Sequence, residues 1–92
     1  MAKFVLLVKI GDQAARDAAR PKHREYLTQL FADGKLIEAG PFKDGKGSLF
    51  IYEAADEAEA RAIFAADPYS AAPGVVAAAD FHEYVRVFPS NA

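Results

Sequence analysis

The segment from Arg20 to Pro41 constrains the fold most, because it predicts a helix, the end of that helix and a strand in immediate succession. Pro21 suits the first turn of a helix, where its missing N–H costs nothing, and Gly34 suits the left-handed position just after a helix. We therefore expect a helix from Pro21 to Asp33, followed by a strand from Leu36 to Ala39.

His23 lies at one end of the apolar side of this expected helix. Leu27, Leu30 and Phe31 follow it at spacings of four, seven and eight residues, which place their side chains on the same side. Polar residues fill the other positions, as in a helix that covers a sheet. We therefore expect His23 to point at the rim of the core.

The rest of the chain predicts three more strands and a second helix. Short runs rich in β-forming residues place the strands at 3–10, 48–52 and 81–88. Asp56 and Glu59 match a capping box at the start of the second helix, which must end near Asp67 because a proline follows. Residues 12–20 fit either a helical turn or an ordered loop.

The resulting order, β-α-β-β-α-β, predicts an α+β, ferredoxin-like fold in which both helices lie on one face of a four-stranded antiparallel sheet. With 92 residues, the chain is expected to form a single domain over residues 1–92. Val5 and Leu7 would lie on the sheet face that the helices leave open. We expect a second copy of the chain to bury that face, giving a homodimer.

Charge and composition exclude several classes of function. The chain has 11 Lys and Arg residues against 13 Asp and Glu, so no strong field favours nucleic acid or an anionic membrane. There is no cysteine, and hence no thiol nucleophile or thiolate metal site. Residues 4–10 are too short an apolar run to span a bilayer, and no small-residue cleavage site follows them. A cytoplasmic protein with a small-molecule ligand is the expectation.

The predicted topology brings several candidate site residues to one end of the sheet. These residues are His23, Gly40, Pro41, Asp67, Tyr69 and His82. An imidazole within reach of a carboxylate forms an acid–base pair, because the carboxylate fixes the tautomer of the ring and raises its basicity. His23 and Asp67 are therefore candidate catalytic residues.

Structural interpretations of the same residues stay open. His23 could be an ordinary rim residue and Asp67 a helix terminator, while Tyr69 could fill the core. Gly40 and Pro41 could serve only the turn that follows them. His82 suits a dimer interface at least as well as a site.

Metal binding by His23, His82 and Asp67 is the weaker alternative. Two histidines without a closely spaced ligand motif give little support for such a site. We therefore predict neither a metal nor a cofactor.

Three motifs resemble the YciI-like (YCII-related) family over nearly the whole chain. They are Arg20-Pro21-x-His23, then Gly34-x-Leu36-x-x-Ala39-Gly40-Pro41, then Asp67-Pro68-Tyr69. The resemblance implies a dimeric α+β barrel, similar to barrels of the muconolactone isomerase type, with a site centred on His23 and Asp67. One member of the family is a dehydrochlorinase of a chlorinated hydroxyquinol. The segment 73–79 departs from the family pattern, because it is longer than the usual connection to the last strand.

Two functions of different classes follow. The first is a cofactor-independent lyase, dehydrochlorinase or isomerase that acts on a small ring compound, aromatic rings included. In it, His23 transfers the proton, Asp67 orients His23 and Arg20 faces a substrate oxyanion, while the wall of the pocket contains Gly40, Pro41 and Tyr69. The alternative is a non-catalytic dimeric module that binds a small ligand or acts as an accessory.

RNA binding is a third possibility that the sequence disfavours. Lys46-Gly47 and Phe50-Ile51 partly match the aromatic octamer of the RNA-recognition motif. Ser48 and Glu53, however, occupy the positions of two of its aromatic residues, and the net charge is −2.

Overall fold

The computed structural model describes residues 1–89, and residues 90–92 of the expected single domain lie outside that part. The elements, in chain order, are β1 Ala2–Ile10, α1 Gln13–Ala32, β2 Leu36–Pro41, β3 Gly47–Ala54, α2 Glu57–Ala65, α3 Pro68–Ala71 and β4 Val76–Tyr84. Within residues 1–89, none of the helices has both the length and the apolar character needed to cross a membrane.

The four strands form one antiparallel sheet in the order β2-β3-β1-β4. Alternate residues of the two central strands, among them Phe4, Leu6 and Phe50, are buried on one face. Leu30 of α1 and Phe64 of α2 belong to the same core, so both helices cover this face. The ferredoxin-like α+β fold predicted from the sequence is confirmed.

Helix α1 begins eight residues earlier than the predicted start at Pro21. The Asp12 carboxylate accepts hydrogen bonds from the backbone N–H groups of Ala14 and Ala15, which caps the helix. The alanine-rich segment that follows has a high helix propensity, and Pro21 is tolerated inside the helix at the cost of one backbone hydrogen bond. The prediction that Pro21 occupies the first turn was therefore wrong.

The predicted end of α1 is confirmed at Gly34, which has φ of +75°. The Lys35 N–H donates to the carbonyl of Leu30 across this turn, over 2.9 Å. Phe31, in contrast, is 66% exposed and lies outside the core. At 100° per residue, Phe31 lies about 80° around the helix from His23, whereas Leu30 lies about 20° away and is buried.

Helix α2 begins with the predicted capping box. The Glu59 N–H donates to Asp56, and the Glu59 carboxylate accepts from the N–H of Ala55, both over 2.8 Å. After α2 ends at Ala65, Asp67 caps the short helix α3, which the sequence did not predict.

Strand β4 occupies residues 76–84 and not the predicted 81–88. Its position is set by β1, because the ladder runs from the pair of Ile10 and Val76 to the pair of Lys3 and Tyr84. Strand β1 begins at Ala2, so the chain beyond Tyr84 has almost no strand to pair with. Pairing with β1 therefore brings the small residues 77–79 into the strand.

Candidate active site

His23 and Asp67 are in direct contact. The His23 Nδ1 atom lies 2.8 Å from Oδ1 and 3.0 Å from Oδ2 of Asp67. Asp67 is fully buried and His23 is 6% exposed, so the contact gives Nδ1 of the buried ring its hydrogen-bond partner. The sequence predicted this proximity, although His23 lies in the middle of α1 and not at its start.

The contact favours one tautomer of the His23 ring. A carboxylate that accepts from the ring favours the hydrogen on Nδ1, and in that tautomer Nε2 keeps its lone pair. Asp67 Oδ1 also accepts from the N–H of Tyr69 over 2.8 Å, at the start of α3. Two donors therefore fix the carboxylate in place.

Two aromatic side chains hold the plane of the His23 ring. Tyr69 stacks on it with ring centroids 3.6 Å apart, and Phe50 meets it edge-on at 5.7 Å. Such contacts restrict the rotation of the imidazole about its side-chain bonds. The ring is thus positioned by α3 on one side and by β3 on another.

A cavity of about 160 Å³ lies beside His23. Its lining residues are Arg16, Arg20, His23, Arg24, Leu27, Ala39, Gly40, Pro41, Ser48, Phe50 and Tyr69. An engineered cavity of about 150 Å³ binds benzene, so this volume suits a single six-membered ring. Five of the residues expected at the site line the cavity, namely Arg20, His23, Gly40, Pro41 and Tyr69, whereas Asp67 contacts His23 without lining it.

Arg16 and Arg24 line the cavity but were not predicted. They lie four residues before and after Arg20 in α1, so the three side chains share one side of the helix. The signal was present in the sequence, but it becomes visible only when residues 13–20 are recognised as helix. Ser48 was considered only for its failure to match an RNA-binding motif.

His82 does not belong to this site. It pairs with Val5 in the ladder between β1 and β4, so it lies on the sheet face opposite the core and is exposed. The proposed ligand set of His23, His82 and Asp67 is therefore not assembled. In residues 1–89 there is no group of three or more side chains arranged as metal ligands.

The charge of Asp67 acts on two nearby tyrosines as well. Burial, and then the negative charge of Asp67, raise the pKa values of Tyr26 and Tyr52, so both phenols stay neutral. The Tyr26 hydroxyl donates to the carbonyl of Ile63 over 2.6 Å. The Tyr52 hydroxyl is buried and has no hydrogen-bond partner among the described residues.

Fold and site together define an α+β protein of ferredoxin-like order, with a buried His–Asp contact beside a ring-sized cavity. The sequence profile of the YCII-related domain matches residues 2–84, and the chain belongs to this family. No protein of curated function matches the sequence.

Several solved structures share the fold. One is the 5-chloro-2-hydroxyhydroquinone dehydrochlorinase TftG of Burkholderia phenoliruptrix in complex with 2,5-dihydroxybenzoquinone, at 27% identity and a TM-score of 0.80 over 91% of this chain and 94% of that one. An antibiotic biosynthesis monooxygenase superposes at 16% identity and a TM-score of 0.65, over 95% of this chain and 99% of that one. Rv0793 of Mycobacterium tuberculosis has 10% identity and a TM-score of 0.63, over 98% of this chain and 99% of that one. The latter two similarities concern the fold alone.

Proposed function

We propose that this protein is a cofactor-independent enzyme of the lyase, dehydrochlorinase or isomerase type, in which His23 transfers a proton and Asp67 orients His23. The observation that carries the proposal is the contact of His23 Nδ1 with both carboxylate oxygens of Asp67. It leaves Nε2 as the nitrogen available to the cavity that the ring lines.

The proposed proton transfer uses the two ring nitrogens differently. His23 Nε2 takes a proton from a hydroxyl group or an acidic carbon of the substrate, and the positive charge that forms on the ring is stabilised by Asp67. Arg20 stabilises the oxyanion that the substrate gains. For a chlorinated hydroquinone, the ring first takes its keto form, in which a hydroxyl proton has moved to the carbon that bears chlorine. His23 Nε2 then takes a second hydroxyl proton, and the electrons of that O–H bond form the quinone carbonyl while the C–Cl bond breaks and chloride leaves. The proton stays on His23 until solvent removes it.

A ring compound as substrate is supported by the cavity and by one relative. The volume of about 160 Å³ suits one ring, and Gly40, Pro41 and Tyr69 give it a largely apolar wall. TftG, which resembles this chain over nearly its whole length, acts on 5-chloro-2-hydroxyhydroquinone. We infer the same general class of substrate here.

We also propose a cytoplasmic location and a single domain over residues 1–92.

A homodimer is a further part of the proposal. The open sheet face carries Leu7, which is 37% exposed, and the half-buried residues Val5, Leu49 and Ile51. A second copy would cover this apolar surface. Sedimentation at micromolar concentration should give about twice the monomer mass, and a stable monomer would contradict the dimer.

Release of chloride from 5-chloro-2-hydroxyhydroquinone tests the enzymatic proposal. The assay is run without oxygen, because hydroquinones oxidise in air, and against a blank without protein. The wild-type protein should accelerate chloride release, and His23→Ala should lose at least about 100-fold of that rate. His82→Ala, away from the cavity on the open sheet face, is the matched control and should keep that rate, with sedimentation checking that its oligomeric state equals that of the wild type. Ring binding without any acceleration would favour the non-catalytic module.

A further inference from the structure

We propose that the ligand of the cavity is an anionic ring compound, whose negative charge is held by Arg16, Arg20 and Arg24. This inference rests on the proposed function, because it places the ligand in the cavity beside His23. It names the charge class of the substrate, which neither the fold nor the family sets.

The three arginines form a row along α1. Their spacing of four residues places the guanidinium groups one above another on the side of the helix that faces the cavity. No Asp or Glu lines the same cavity. The chain as a whole carries a net charge of −2, so the positive lining is a local feature and does not reflect the composition.

The arginines keep most of their hydrogen-bonding capacity. Arg16 is only 8% exposed, yet its polar contacts are long: 3.4 Å to Asp17 Oδ1 and 3.5 Å to the carbonyl of Gly45. Arg20 also lies 3.4 Å from Asp17, whose side chain is 61% exposed. Arg24 makes no ion pair with any residue that the structure describes. A guanidinium has five N–H donors, so several remain for the oxygens of an anion.

A buried cation with so few partners is costly unless something compensates it. Arg16 would lose much of its hydration on burial and regains little from an exposed carboxylate at 3.4 Å. An anion in the cavity supplies the missing charge and accepts the free N–H groups. The same positive charges favour the substrate after it has lost its proton to His23.

The position of Arg20 links the anion to the proton transfer. Arg20 and Tyr69 line the same cavity, and Tyr69 stacks on His23 at 3.6 Å. An oxygen bound by Arg20 therefore lies near the ring that would take the proton. The geometry suits compounds that combine a planar ring with an acidic hydroxyl or carboxyl group, and a neutral ring of the same size would leave the row uncompensated.

Calorimetry with matched probes tests the proposal. Benzoate and benzamide have nearly the same shape but differ in charge, and 2,5-dihydroxybenzoquinone, an acidic ring compound, is the second anionic probe. Wild-type protein should bind benzoate at least about tenfold more tightly than benzamide. The affinity for both anions should fall as the KCl concentration rises from about 0.05 M to about 0.5 M.

Variants then locate the charge that matters. Arg16→Gln and Arg20→Gln should each weaken binding of 2,5-dihydroxybenzoquinone about tenfold or more, and Arg20→Lys should recover part of the loss. Lys22→Ala removes one exposed positive charge of α1 outside the cavity and should bind like the wild type. If a glutamine variant does not fold, the salt dependence and the comparison of benzoate with benzamide on wild-type protein decide the question.

Equal affinity for benzoate and benzamide would overturn the proposal, and so would a failure of both anions to bind. Anion binding that the arginine substitutions leave unchanged would overturn it as well. Calorimetry needs no turnover, so a failed chloride assay contradicts the proposed enzyme and leaves the anion result standing.

Discussion

The Tyr69 ring lies parallel to the His23 imidazole, with 3.6 Å between the centroids and 5° between the planes. Asp67, two residues before Tyr69, contacts Nδ1 of the same imidazole. The segment 67–69 therefore holds both the face and one edge of the ring. We attribute the orientation of His23 to this short segment together with the edge-on contact of Phe50, since α1 supplies only its backbone position.

Replacing Tyr69 should separate ring support from ligand contact. Tyr69→Phe keeps the stacking and removes the hydroxyl from the cavity that Arg20 also lines, so we expect KM to rise and kcat to change little. Tyr69→Leu removes the flat support, and kcat should fall by about tenfold or more because the ring is less well oriented. Steady-state kinetics check both, and equal kcat in the two variants would contradict a role for the stacking.

The pair of His23 and Asp67 should act as a unit. We expect His23→Ala to lose about 100-fold or more in turnover and Asp67→Asn to lose less, because the ring remains but is less well oriented and less basic. The double variant should be little slower than His23→Ala alone. Thermal unfolding must be measured beside the rates, because Asp67 also caps α3. Additive losses would mean that the two residues act independently.

The extended helix predicts an unusual effect at Pro21. If Pro21 lies inside α1, Pro21→Ala restores a backbone hydrogen bond and should raise the free energy of unfolding by roughly 1–2 kcal/mol. If α1 instead began at Pro21, the substitution would be neutral or destabilising. Urea unfolding distinguishes the two, and Lys22→Ala controls for the general effect of a new alanine in this helix.

Local signals in the sequence identified several ends of elements correctly. Gly34 and the pair Asp56 and Glu59 act within one turn of a helix, so their chemistry can be read directly from their neighbours. The position of β4 could not be read this way, because the distant strand β1 sets its register. The error moved His82 towards the site, where it does not belong.

The candidate site was also predicted only in part, because some of its residues depend on distant contacts. The topology and the family motifs brought His23 and Asp67 together even though the start of α1 was wrong. Arg16, in contrast, enters the cavity only through the early start of α1, which depends on the cap at Asp12. With a predicted helix start at Pro21, Arg20 fell before the helix, and the row of arginines could not be predicted.

Tyr52 predicts how stability depends on pH. The pKa of Tyr52 is raised on folding, so the folded state favours the neutral phenol. The free energy of unfolding therefore includes a contribution from Tyr52 that is fully present below about pH 10 and is lost as the pH rises above that value. Tyr52→Phe should reduce the loss of stability at alkaline pH.

Tyr52→Phe should also stabilise the protein by about 1 kcal/mol at neutral pH, because the buried hydroxyl lacks a partner. Chemical denaturation between pH 7 and 11 checks both effects, with Tyr84→Phe at an exposed position as the control. If Tyr52→Phe is less stable than the wild type, the Tyr52 hydroxyl does make a hydrogen bond in the folded protein.

Nitrogen NMR of the His23 imidazole tests the central claim most directly, and it needs no substrate. With ¹⁵N-labelled protein near neutral pH, two-bond couplings to the ring protons show which nitrogen carries the hydrogen. His82→Ala leaves His23 as the only histidine and assigns the signals. The account predicts that the neutral ring carries its hydrogen on Nδ1, towards Asp67, with Nε2 unprotonated and able to act as a base. A neutral ring with its hydrogen on Nε2 would contradict it.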